Sequence, residues 1–126
     1  MLEVLVSLVI FSIGVLGIVG LQATASKHSG EAKYRMDAAY LTDQLLAEIW
    51  TSNVKGVGVL SSFSTASTPS TSVASWQTKV AATLPSGTGA VNIVNASTGA
   101  VSVTVCWQAP ANPQHCHTTA AQIQLN

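Results

Sequence analysis

The chain has 126 residues, enough for one domain, and only 8% of them are Asp, Glu, Lys or Arg, about a third of the usual share. Its formal net charge is zero, so steering toward nucleic acid has little to act on and no nucleic-acid partner is expected. All the carboxylates (Glu3, Glu31, Asp37, Asp43 and Glu48) precede residue 49, and beyond it only Lys55 and Lys79 are charged. A distal part without Asp or Glu has nothing to orient a histidine or to do acid–base work, so no enzyme activity is expected.

The chain opens "MLEVLVSLVIFSIGVLGIVGLQ". Residues 4–21 carry no charge, and as a helix they span roughly 27 Å, close to the ~30 Å hydrocarbon core of a bilayer. No basic region precedes the run and no small-residue cleavage site closes it. It reads as a retained membrane helix, with its leader already removed or beginning at the true start. One carboxylate, Glu3, sits at its edge.

Nothing as far as Ile49 stops a helix. Tyr34, Ala38, Leu41, Leu45 and Ile49 recur at spacings of 4, 3, 4 and 4, one helical face, with Lys33, Asp37, Gln44 and Glu48 mainly elsewhere. The pattern predicts one helix of about 45–50 residues, half in lipid and half packed on a domain. Gly14, Gly17, Gly20 and Gly30 weaken it by roughly 1 kcal/mol each relative to Ala. They also permit close helix–helix approach or local melting.

From Thr51 the pattern breaks, and "SSFSTASTPSTS" has the composition of a surface loop. In "SVASWQTKVAATLPSG", Val73, Trp76, Val80 and Leu84 predict a short helix with Ser72 as N-cap and Pro85 and Gly87 as the stop. Two alternating runs around Ser97-Thr98-Gly99 then predict a hairpin. Val101, Val103, Val105 and Trp107 share one of its faces, with Val91 and Ile93 paired over it. "APANPQHCHTT" is expected to interrupt the sheet, because Pro110 and Pro113 remove ladder donors, and Ala121, Ile123 and Leu125 to return as a third strand.

The predicted fold class is therefore α+β. A long N-terminal helix, membrane half plus amphipathic half, packs on a small antiparallel sheet of about three strands, with one short extra helix. The divisions are 1–22 for the membrane half, 23–50 for the amphipathic half and 51–126 for a globular head.

Cys106 and Cys116, an even count at short spacing beside a membrane-type segment, read as one disulfide in an oxidising compartment. By a chain-entropy argument it contributes on the order of 3 kcal/mol. His115, Cys116 and His117 with Cys106 are a candidate zinc set. Adjacent residues of an extended chain point to opposite faces, however, so metal binding is not expected and no cofactor is implied. Trp50, Trp76 and Trp107 read as core or sheet-face residues rather than as a nucleic-acid stripe.

"LEVLVSLVIFSIGVLGIVGLQ" resembles the N-terminus of type IV pilins and pseudopilins and is most similar to that of PilV-type minor pilins. "LTDQLLAEIW", "WQTKVAATLP" and "VSVTVCWQ" resemble later elements of the same group. The family carries a glutamate at the fifth position of the mature chain. The resemblance thus implies that Glu3 is that residue, two mature residues and a leader being missing ahead of Met1. It also implies a pilin fold without cofactor, cleavage and methylation by a prepilin peptidase, and residence in the inner membrane with a periplasmic head before extracellular incorporation into a pilus. The partners would be inner-membrane lipid, other minor pilins and the major pilin. Glu3, with Val4, Leu5, Leu8 and Val9, would form the docking surface, and the Cys106–Cys116 loop would serve contacts.

In the family the glutamate is important for assembly and can neutralise the N-terminal amine of a neighbouring subunit. A charge at the bilayer centre costs about 2.5–3.5 kcal/mol on insertion scales, less near the interface. No basic residue among residues 4–26 can offset that cost, so the partner is a lipid headgroup, water or another protein's amine. Read alone, Glu3 is an interfacial carboxylate satisfied by water; within the motif it is an assembly residue. Three other readings stand beside the minor pilin: a minor pseudopilin of type II secretion, a membrane-anchored periplasmic binding module or adhesin, and an anchored enzyme.

Overall fold

Helix α1 runs unbroken from Leu2 to Thr51, 50 residues, through all four glycines. The structure, a computed structural model, describes residues 1–52, 57–110 and 112–124. The hydroxyls within the apolar run are satisfied locally, Ser7 Oγ donating to the Glu3 carbonyl at 2.9 Å and Ser12 Oγ to that of Leu8 at 2.7 Å. Back-bonding of this kind removes the cost of placing a hydroxyl in an apolar surrounding.

The chain divides into two units, Met1–Lys33 and Tyr34–Asn126. The first is the helix alone, and every residue from Met1 to Ser29 is exposed. In the second, Ala38, Leu41, Leu45 and Ile49 are buried as the periodicity predicts, with Tyr34 partly buried against them. The buried stripe is wider than the predicted one. Leu46 joins it, and so does Thr42, whose Oγ1 lies 2.8 Å from the Ala38 carbonyl oxygen.

Two further helices follow. Helix α2, Val57–Ser61, is a five-residue turn within the segment read as a pattern break, and Leu60 and, just beyond it, Phe63 enter the core. Helix α3, Thr71–Thr83, buries Val73, Trp76 and Val80, and Leu84 is buried at its C-cap. Its N-cap is Ser70 rather than Ser72, and no side-chain cap bond forms there. The Ser70 hydroxyl instead sits 3.3 Å from that of Ser72.

Strands β1 (Thr88–Asn95), β2 (Ala100–Trp107) and β3 (His115–Gln122) form an antiparallel meander in that order. Val91 faces Val103 and Ile93 faces Val101, the predicted pairing. All four predicted residues of β2 (Val101, Val103, Val105 and Trp107) are buried. Asn95 Oδ1 accepts from the Ser97 amide at 3.0 Å and the Ser97 hydroxyl at 2.7 Å, which fixes the hairpin turn.

The third strand departs from expectation. It begins at His115, inside the segment assigned to a break, and ends at Gln122. Pro110 and Pro113 do end β2, but the ladder resumes two residues after Pro113, with Trp107 opposite His115 and Cys106 opposite Cys116. Ile123 lies just past the strand, buried, its amide bonded to the Gly99 carbonyl at 2.8 Å. Leu125 lies outside the described residues.

The sheet and the Tyr34–Ile49 stripe share one core with α3 and the Leu60–Phe63 segment. No buried side-chain polar atom among the described residues lacks a hydrogen-bond partner. The layout is α+β, as predicted: long apolar helix, three-stranded antiparallel sheet and short additional helices.

Candidate functional site

Residues 2–21 form the most distinctive surface. Leu2, Val4, Leu5, Val6, Leu8, Val9, Ile10, Phe11 and six further large apolar side chains as far as Leu21 are exposed, around the whole helix rather than on one side. The helix is long and apolar enough to cross a membrane, with a window of mean hydropathy 2.8. A surface apolar all round is stable only in lipid or among other apolar helices.

Glu3 lies in the first turn, where a carboxylate complements the unpaired amides of the helix start. It borders a shallow concavity with Val4, Ser7, Leu8 and Phe11. The structure thus brings together three of the five predicted docking residues, Glu3, Val4 and Leu8. Leu5 and Val9, one turn apart, lie on the adjoining face. Six and more residues past Leu21, Lys27, His28 and Glu31 begin the charged and titratable surface.

The second candidate is the loop closed by Cys106 and Cys116, which form the predicted disulfide, S–S 2.05 Å. The bond joins directly opposed residues of β2 and β3, with Cα atoms 4.0 Å apart. Its base is held twice more. The Trp107 and His115 rings meet with centroids 6.0 Å apart, and the Gln108 amide donates to the Pro85 carbonyl at 2.9 Å. Gln108 Nε2 reaches the Asn112 carbonyl at 3.2 Å within the loop.

With Cys116 in a disulfide, the histidines beside it have no thiolate to share. His115 and His117 alternate with Cys116 along β3, as the extended chain requires. Among the described residues no group of three His, Cys, Asp or Glu side chains is placed to hold a metal ion.

Of the three tryptophans, Trp76 and Trp107 are buried. Trp50 is not: it is 53% exposed near the end of α1, contrary to the reading of it as a core or sheet-face residue. It shares with Met36 and Tyr40, 72% and 66% exposed, the side of the helix turned away from the core. Three large side chains on that side are a signal present in the sequence, opposite the more regular spacing of the buried stripe.

Compared with known proteins, the chain matches no family model, no curated protein and no solved structure.

Proposed function

We propose that the chain is a subunit of a helical filament assembled from a membrane, a member of the type IV pilin class. Within that class we assign it to the minor pilins of a type IV pilus, acting in initiation of the filament and residing at its tip. The observation that supports this best is the pairing of two features in one helix. Residues 4–21 carry no charge and are bare on every side, and the same helix supplies the core stripe of a disulfide-clipped α+β head. The helix would wait in the inner membrane with the head in the periplasm, then exchange lipid for the helices of other minor pilins and the major pilin. That exchange needs no catalytic group and no cofactor. Glu3 is the polar point of the contact, its charge offset by the amine of a neighbouring subunit.

The test is Glu3→Ala in the full chain. The variant is expected to accumulate normally in the membrane and to be lost from sheared filaments. Normal recovery in filaments would sink the proposal. Deleting the gene and scoring piliation against release of secreted proteins separates a pilus subunit from a type II secretion pseudopilin. Replacing residues 1–22 with an unrelated membrane helix separates either one from an anchored binding module, which would keep its function.

A further inference from the structure

The two edges of the sheet are treated differently. On β1, Thr65 lies along the outer edge: its amide donates to the Val91 carbonyl at 3.0 Å, and its Oγ1 accepts from the Val91 amide at 3.0 Å. Gln77 Nε2 from α3 donates to the Gly89 carbonyl at 2.9 Å. These bonds show that odd-numbered residues of β1 turn their backbone groups away from β2. Even-numbered ones, paired as Thr88 with Cys106, Ala90 with Thr104 and Asn92 with Ser102, turn theirs toward it. Alternation along β2 then directs Val101, Val103, Val105 and Trp107 to β3, where they meet Ala121, Thr119, His117 and His115. The Ile123 amide bonded to the Gly99 carbonyl continues the same phase.

Cys116, Thr118, Ala120 and Gln122 therefore direct their amides and carbonyls outward. Among the described residues no hydrogen bond reaches any of those backbone groups. The edge also lacks the usual deterrents. "HCHTTAAQ" contains no Lys, Arg, Asp, Glu or Pro, and the ladder register with β2 runs through it without a bulge. The disulfide at one end and the Gly99–Ile123 bond past the other hold it straight against β2.

We infer that the β3 edge receives an extended strand from a neighbouring subunit of the filament, of a different chain type. The identity of that partner rests on the proposed function; the open edge does not. A second copy is a poor occupant on two grounds. Head-to-tail pairing of β3 with the β1 edge of a copy is obstructed by Thr65 and Gln77. Antiparallel pairing of β3 with β3 uses a dyad along the sheet normal. That dyad reverses the helix segment packed on the sheet, whereas chains anchored in one membrane enter their heads from the same side. The incoming strand would be uncharged, with small or apolar residues at alternate positions continuing the half-buried layer of Thr119 and Ala121.

Proline tests this selectively. At Thr118 or Ala120 it removes an outward amide and leaves the β2 ladder intact, the placement that edge strands tolerate. In the native host, full-length Thr118→Pro and Ala120→Pro are expected to reach the membrane with the Cys106–Cys116 bond formed and to fall about tenfold in sheared filaments, the equivalent of one lost hydrogen bond or more. Thr118→Ser and Ala120→Ser, which keep the amide, should assemble as the parent does. A photo-crosslinker in place of Ala120 should capture another pilin-class subunit. Amide exchange of the unsubstituted chain gives the same answer should the prolines prevent folding: Thr118 and Ala120 exchange freely in a lone chain in lipid nanodiscs and are protected in filaments. Proline variants that assemble normally while Glu3→Ala does not would overturn the edge proposal and leave the filament reading standing. Unprotected amides in filaments, or crosslinking to a second copy of this chain, would overturn it as well.

Discussion

Trp76 ties three elements of the head together. Its Nε1 donates to the Leu41 carbonyl of α1 at 2.8 Å, an acceptor already within a helical ladder, and its ring lies over Gly89 of β1 so closely that any Cβ there would overlap it. Trp76→Phe keeps most of the apolar contact and removes the bond, and should lower the stability of the head by about 1–2 kcal/mol, read as a shifted denaturant midpoint with unchanged slope. Gly99 is constrained more sharply. It has φ 72, and a Cβ would run into the Ile123 carbonyl, on the residue whose amide it binds. Gly99→Ala should therefore cost about 2 kcal/mol or more. The measured unfolding midpoint should fall further than for Ala substitution at Ser97, in the same turn but free of that contact.

At the scale of elements, what was legible depended on whether a segment carries its own apolar rhythm. Helix α1, α3 and the β1–β2 hairpin each do: the β2 face was readable residue by residue from Val101 to Trp107, and the α1 stripe from Ala38 to Ile49 was readable apart from Thr42 and Leu46 at its margin. Strand β3 does not. Its half-buried side is His115, His117, Thr119 and Ala121, polar for most of its length, so its start was hidden. What holds it is external to its sequence: the ladder to β2, the disulfide and the Thr104–Thr118 hydroxyl contact at 3.0 Å. Helix α2 is too short for periodicity to register, and in "TPSTS" several residues qualify as a cap, so the shift from Ser72 to Ser70 was not readable. Of the candidate site, the apolar helix was plain from composition. Glu3 acquired a role only through the motif around it, and the open β3 edge depends on pairing that no local pattern encodes. Because the disulfide spans a separation of 10 residues across strands already paired, Cys106→Ser with Cys116→Ser should cost at most about 3 kcal/mol. Circular dichroism should still show the sheet, and the denaturant midpoint should drop.

Over the whole molecule, charge and apolar surface are segregated. Among the described residues the buried hydrophobic core lies between Ala38 and Ile123, while the long exposed apolar run lies before residue 22. Beyond residue 48, where Lys55 and Lys79 are the only charged residues, the head is hydrated mainly by Ser, Thr, Asn and Gln. A chain lacking residues 1–33 should accordingly partition into water on detergent phase separation and retain a cooperative unfolding transition followed by Trp76 and Trp107, while the full chain follows the detergent. Loss of that transition would show that Met1–Lys33 contributes to the head's fold and not only to its anchoring.

A head that continues from one end of a long helix is also a mechanical object. Tension on α1 loads the Ala38–Ile49 contacts along the helix axis, so they yield together in shear rather than one after another. If the head gives way, the crosslink between Cys106 and Cys116 keeps the intervening loop from paying out, which withholds roughly 30 Å of extended chain. Stretched between its ends, the oxidised protein should stop short of the reduced one by that length.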